Sequence, residues 1–340
     1  MRLFGSKSGR IAAAGVAAAA CAALMSAPAY AAAAGTARAI GDSVHFSAAR
    51  GAVNSVVLTR KGGTVTIDDR VAVKAGPGCV GVRGDKTKVK CFTPSTPGST
   101  VVGLGDKDDR LVAKVDRAVH ADGGAGNDTL TGGSAGDSLN GGGGNDVLAG
   151  GGGNDALGGG DGNDVLTGDK GNDVLNSDRG ADVLRGGGGV DAVYYGARRN
   201  AVIVDLDGVK GDDGERGEKD TVGADVEVIM GGAGTDRLGG NGADNKIYGG
   251  AGNDVIWAGP GNDMVVGQGG ADTIRGDGGD DYLVGEFQRS TTPNPDDEGE
   301  NDDNPNSRDR LDGGASTAYW GDTCMAGPAS TLVNCEYRAA

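Results

Sequence analysis

The chain has 340 residues, 69 of them glycine and 4% aromatic, and carries a formal net charge of −16. The glycines do not recur every third residue, which excludes collagen, and so few aromatics exclude an ordinary large apolar core. The acidic balance excludes nucleic acid as a partner, because phosphate binding needs clustered Lys and Arg.

In chain order, residues 1–31 read as a secretory signal peptide. Arg2, Lys7 and Arg10 precede an apolar run from Ile11 to Met25, and Ala29-Tyr30-Ala31 supplies a small-x-small cleavage pattern. A transmembrane anchor is the alternative, but this alanine-dominated run is short for a span. A lipoprotein cleavage site at Cys21 lacks the usual leucine three positions before it. The mature chain is therefore expected outside the cell, without stable membrane insertion. Loss of three basic residues takes its charge from −16 to −19.

Cys79, Cys91, Cys324 and Cys335 remain, an even set in an oxidising compartment. Cys79–Cys91 and Cys324–Cys335 are the economical pairing among three connectivities. A zinc site would need a C-x-x-C knuckle that is not present. Residues 32–121 alternate strand-like runs, such as Ser55 to Thr59 and Thr64 to Ile67, around the turn signal Lys61-Gly62-Gly63. They are expected to form a small β domain or N-terminal cap. LGDKDDRLV, residues 104–112, has the look of a degenerate repeat with Asp109 in its sixth position.

The repeat itself begins at Gly123. Eight nine-residue units run to Tyr194: GGAGNDTLT, GGSAGDSLN, GGGGNDVLA, GGGGNDALG, GGDGNDVLT, GDKGNDVLN, SDRGADVLR and GGGGVDAVY. Their sixth positions are Asp128, Asp137, Asp146, Asp155, Asp164, Asp173, Asp182 and Asp191, and their eighth positions are aliphatic. A second array of six units opens at Gly231 and places Asp236, Asn245, Asp254, Asp263, Asp272 and Asp281 in the sixth position. The arrays are bounded as 122–195 and 231–285. Between them, 196–230 contains Asp205, Asp207, Asp212, Asp213 and Glu215 and is expected to be an exposed acidic loop, with an extra calcium site as the alternative. Residues 286–340 are expected to form an acidic mobile loop followed by a cap closed by Cys324–Cys335, RLDGG at 310–314 hinting at a last unit with Ala318 at the aspartate position.

These units resemble the hemolysin-type calcium-binding repeat, GGxGxDxUx, of the RTX proteins. The resemblance covers the two arrays and implies an all-β, right-handed parallel β-roll, with six residues of each unit in a calcium-binding turn and three in a short strand. The alanine-rich, Sec-type layout is similar to secreted calcium-binding repeat proteins of actinobacteria. Family export through a C-terminal signal is not what this N-terminal signal implies.

The residues point the same way. Glycines at positions one, two and four reach conformations closed to other residues, and the eighth-position aliphatics face a thin core while their neighbours face out. Two units per coil stack aspartates 18 apart at the strand spacing of about 4.7–4.9 Å. An ion midway sees each layer at a distance that suits calcium–oxygen bonds of about 2.3–2.6 Å, whereas magnesium wants shorter bonds and zinc wants sulfur or imidazole. Four ladders follow, with gaps for about ten calcium ions: Asp128-Asp146-Asp164-Asp182, Asp137-Asp155-Asp173-Asp191, Asp236-Asp254-Asp272 and Asn245-Asp263-Asp281. Asn245, one charge short, marks the weakest site, and Ser177-Asp178-Arg179 departs from Gly-Gly beside Asp182.

Without cations the stacked aspartates repel, so folding is expected to accompany calcium binding. The function expected is a secreted, non-enzymatic calcium-binding repeat protein, its cell-surface or polysaccharide partner unspecified. Two alternatives are an adhesin or surface-layer component using the rigid roll, and a small extracellular hydrolase with a repeat tail. The hydrolase would need His45 or His120, neither of which sits in a known motif, and no H-E-x-x-H or G-x-S-x-G occurs. No catalytic residue and no organic cofactor site is expected.

Overall fold

The computed structural model describes residues 34–93 and 98–285, with the strands Arg310–Asp312, Thr323–Met325, Thr331–Val333 and Tyr337–Arg338. The expected signal peptide, the acidic stretch 286–309 and the Cys324–Cys335 pairing fall outside the described residues. Among the described residues the regular elements are strands, and no helix is long and apolar enough to cross a membrane.

Each nonapeptide ends in a short strand, and successive strands alternate between two facing sheets. The strand Ser138–Gly143 pairs in parallel with Ala156–Asp161, and Val147–Gly152 with Val165–Lys170. Leu139, Leu157, Leu175 and Val193 therefore stack in one sheet, opposite Leu130, Leu148, Leu166 and Leu184 in the other. None of these eight is more than 2% exposed. Burying each one contributes about 1.5–3 kcal/mol, so two facing stacks of aliphatic side chains form the apolar core of the first array. The winding depends on glycine at tight corners. Gly142 has φ +107°, and a Cβ there would lie 2.1 Å from the Gly124 carbonyl oxygen one coil earlier.

The strands assemble into sheets of 15, 10 and 7 members. The 15-stranded sheet runs the length of the molecule, from Val73–Ala75 to Tyr337–Arg338. On the opposite side the 10-stranded sheet ends at Thr221–Val222, and the 7-stranded sheet takes over from Gly214–Glu215 and Val202–Asp205.

The N-terminal region is continuous with the arrays. Ser43–Ser47, Thr100–Asp106 and Val119–Ala125 pair in parallel in the long sheet, and Ser55–Lys61, Arg110–Lys114 and Thr129–Thr131 do so opposite. Antiparallel hairpins finish the end: Gly35–Ile40 on Ser43–Ser47, and Ser55–Lys61 on Thr64–Asp68, followed by Asp85–Phe92. The strand Cys79–Val82 pairs antiparallel with Asp85–Phe92, and the Cys79–Cys91 disulfide joins the two.

The segment 196–230 is not the exposed acidic loop that its charge suggested. Val202, Val204, Leu206, Val222 and Val226 are buried with the core. Val202–Asp205 pairs in parallel with Arg237–Gly239, and Val228–Met230 links Ala192–Tyr194 to Lys246–Ala251. Its alternating valines outweigh its acids, because only they can close the core at the change of sheet. At the other end the RLD strand is a further coil: Leu311 is buried and pairs with Ile274.

Candidate metal centres

The fourteen sixth-position residues line the inner side of the turns, and none is more than 3% exposed. Each rung is tied to the next by a hydrogen bond across one coil. The backbone N–H of Asp128 donates to Oδ1 of Asp146 at 2.6 Å, that of Asp146 to Asp164 at 2.7 Å and that of Asp164 to Asp182 at 2.7 Å. The same bond links Asp137, Asp155, Asp173 and Asp191 in turn, as well as Asp236 to Asp254, Asp254 to Asp272, Asn245 to Asp263 and Asp263 to Asp281. All four expected ladders are thus assembled.

The second carboxylate oxygen carries the chemistry. Oδ2 of Asp128, Asp146, Asp155, Asp164, Asp173, Asp182, Asp191, Asp254 and Asp263 is buried without a hydrogen-bond partner. The first rungs Asp137 and Asp236 differ, since their own loops supply the N–H of Gly133 and Gly232. Asn245 turns its oxygen to the N–H of Asn241, at 2.8 Å. A buried acceptor left unpaired costs about 1–3 kcal/mol. A handful is enough to cancel the roughly 5–15 kcal/mol by which a domain is stable.

The orphan oxygens do not point at protein carbon. At Gly141, in the first position of its unit, a Cβ would lie 2.3 Å from Oδ2 of Asp146 and 2.6 Å from the carbonyl oxygen of Gly159. At Gly150, Gly168 and Gly267 the acid would be 2.2 Å away and the next carbonyl 2.5–2.9 Å. A carboxylate oxygen and a carbonyl oxygen thus converge on the bare face of each such glycine, in a space that any side chain would fill. Hard, anionic, all-oxygen donor sets suit calcium and offer nothing to a soft metal.

Burial pushes these carboxyls upward. Asp128, Asp155 and Asp254 are raised to about 7, Asp137, Asp164, Asp191 and Asp263 to about 6, and Asp146, Asp173 and Asp236 move in the same direction. Asp182 goes furthest, to about 8, through burial and then the charge of Asp220. Burial thus opposes the charged form of these groups.

The ladders also reach beyond the fourteen repeat positions. Asp191 donates its N–H to Glu227, and Val228 pairs with Lys246, so Glu227 stands in register between Asp191 and Asn245 where the two ladders meet. It is the sixth residue of 222–230, a unit in phase with the second array but disguised by Val222 and by glutamate. Asp220 follows Asp182, 38 residues on, a spacing with no visible period. Asp109 and then Asn54 extend the first ladder toward the N-terminus. Asp205, Asp207 and Asp212 gather their carboxylates within 4.8 Å of one another, whereas Asp213 binds the N–H groups of Asp205 and Val222.

His45 and His120 lie on strands of the long sheet, each paired with Val101. Burial, then Arg38, lowers the pKa of His45. A groove of about 760 Å³ lies against Arg198, Arg199, Glu215 and Glu218, and neither histidine lines it.

The family model of the RTX calcium-binding nonapeptide repeat (4 copies) matches residues 122–157, 158–196, 222–256, 230–265 and 257–291. The match at 222 takes in the Glu227 unit. No curated protein matches the chain.

Proposed function

Because the chain belongs, through residues 122–196 and 222–291, to the RTX calcium-binding nonapeptide repeat family, we propose that it is a secreted, non-enzymatic protein whose roll sets on meeting extracellular calcium. Asp128, Asp137, Asp146, Asp155, Asp164, Asp173 and Asp191 would hold the ions of the first array, and Asp236, Asp254, Asp263, Asp272 and Asp281 those of the second. Asn245, with no charge to offer, gives the weakest tier. Calcium when bound supplies the positive charge that the stacked carboxylates need and takes six to eight oxygen ligands. The chain supplies carboxylate Oδ2 atoms and first-position carbonyls, prearranged by the ladder hydrogen bonds.

One observation carries this reading: buried carboxylate oxygens without partners, facing glycines whose missing Cβ leaves room. Inside the cell, where calcium is scarce, the same carboxylates oppose folding and keep the chain competent for export. The test is calorimetric titration of residues 32–340 with calcium, followed by far-UV circular dichroism, with magnesium as control. Cooperative gain of strand signal with several ions bound, weakened in Asp146→Ala and Asp254→Ala, is the expected result. Identical spectra in calcium and in chelator would overturn it.

A further inference from the structure

The fourteen units agree at the sixth position better than at the first, where twelve have glycine and the exceptions are Ser177 and Ala258. Ser177 belongs to the unit of Asp182 and is 2% exposed, so its side chain lies inside the turn, where other units keep bare glycine. One coil earlier, a Cβ on Gly141 or Gly168 would meet the carbonyl of the first-position residue one coil on at 2.6 or 2.5 Å, whereas the three atoms nearest a Cβ on Gly159 all belong to Asp164, at 2.4–3.0 Å.

The other side of this tier is closed by hydrogen bonds. Tyr195, 1% exposed, donates its phenol to Oδ2 of Asp220 at 3.1 Å. Oδ1 of Asp220 accepts the N–H of Asp182 at 3.0 Å. Asp220 is the next rung after Asp182, yet both of its oxygens are engaged, unlike those of Asp146 or Asp164. An ion entering here would have to displace a buried serine side chain and break the Tyr195–Asp220 bond.

We propose that Ser177, Tyr195 and Asp220 form an ion-free plug where the 10-stranded sheet ends, so that the Asp182 tier binds no calcium and hydrogen bonds hold the seam between the arrays. The inference rests on the calcium reading of the other tiers. Ser177 then has a specific role, because its hydroxyl and the carbon that bears it occupy the cradle that glycine leaves open. Tyr195 satisfies the rung that a cation would otherwise neutralise.

The test counts calcium ions per chain, by atomic absorption after equilibrium dialysis, in the mature protein and four variants. The double variant Ser177→Gly/Tyr195→Phe should bind one more ion than the parent, Ser177→Ala the same number, Asp220→Asn the same number and Asp146→Asn fewer. A double-variant count equal to the parent's, or an Asp220→Asn count lower by one, would overturn the plug. If the double variant fails to fold, the Asp220→Asn count decides alone. A parent that binds no calcium, with Asp146→Asn unchanged, would instead remove the reading beneath the plug, an outcome distinct from the other two.

Discussion

The N-terminal coils and the nonapeptide coils share their sheets and winding but fill their turns differently. In the first, Leu104 lies between the paired positions Gly103↔Asp122 and Gly105↔Gly124, in register with Gly123. Leu104 is 1% exposed and belongs to the same buried core as Val56, Leu58, Ile67 and Val102. The same backbone place therefore carries an isobutyl group in one region and bare glycine beside a carboxylate in the other. Charge follows the same division. Residues 34–121 carry 14 Lys and Arg against 8 Asp and Glu, whereas 122–340 carry 15 against 40. A parallel roll can be closed by apolar side chains, hairpins and a disulfide, or by oxygen cradles that need a cation.

The comparison can be broken most severely at a cradle. Gly141→Ala puts a methyl group against Oδ2 of Asp146 and the Gly159 carbonyl, and should remove a calcium ion and destabilise the first array by more than about 3 kcal/mol, the upper range of ordinary substitutions. Calorimetric unfolding in calcium, with the ion count, checks this. The core column should matter next. Leu148→Ala, at a fully buried position, should cost about 2–5 kcal/mol in chemical denaturation, whereas Val147→Thr next to it, 45% exposed, should stay within about 0.5 kcal/mol.

Reducing Cys79–Cys91, a closure over 12 residues, should lower the stability of the N-terminal coils by about 2–4 kcal/mol and leave calcium uptake unchanged. Unfolding followed with and without reductant, alongside calorimetric uptake, separates the two regions.

Acid should act on the regions unequally. The ladder carboxyls have folded-state values raised to about 6–8 from an ordinary 3.8. The folded, ion-free roll thus holds protons that the unfolded chain gives up. That contribution is fully present below about 3.8 and is lost as pH rises through 6–8. In chelator, strand signal from the arrays should therefore grow as pH falls from 8 to 5. In calcium the same protons compete with the ion, and uptake should weaken over that range. The N-terminal coils hold fewer raised carboxyls, Asp69 and Asp109, and should change less. Circular dichroism against pH in both buffers reads the opposite signs.

The ladders were legible in the sequence because period, acid and aliphatic position coincide in every unit from Asp128 to Asp191. Asp109 was visible as a degenerate unit, but its continuity with the roll depends on the register of Arg110 with Thr129, which no local pattern carries. The segment 196–230 was misread because its acids dominate the composition. The alternation of Val202, Val204 and Leu206, which decides its burial, spans only five residues. Glu227 kept the period and lost the letter, while Asp220 lost both, since an insertion between coils destroys phase without disturbing the sheet. Tyr195 gave no signal, because its role depends on the chain bringing Asp220, 25 positions on, beneath it.

The most direct test of the division is hydrogen exchange by mass spectrometry on residues 32–340, in calcium and in chelator. The N-terminal strands from Gly35 to Phe92 should be protected in both conditions, while the strands from Thr129 to Tyr194 and from Arg237 to Val284 are protected only with calcium. Equal protection of the arrays in chelator, or loss of the N-terminal protection along with theirs, would contradict the account.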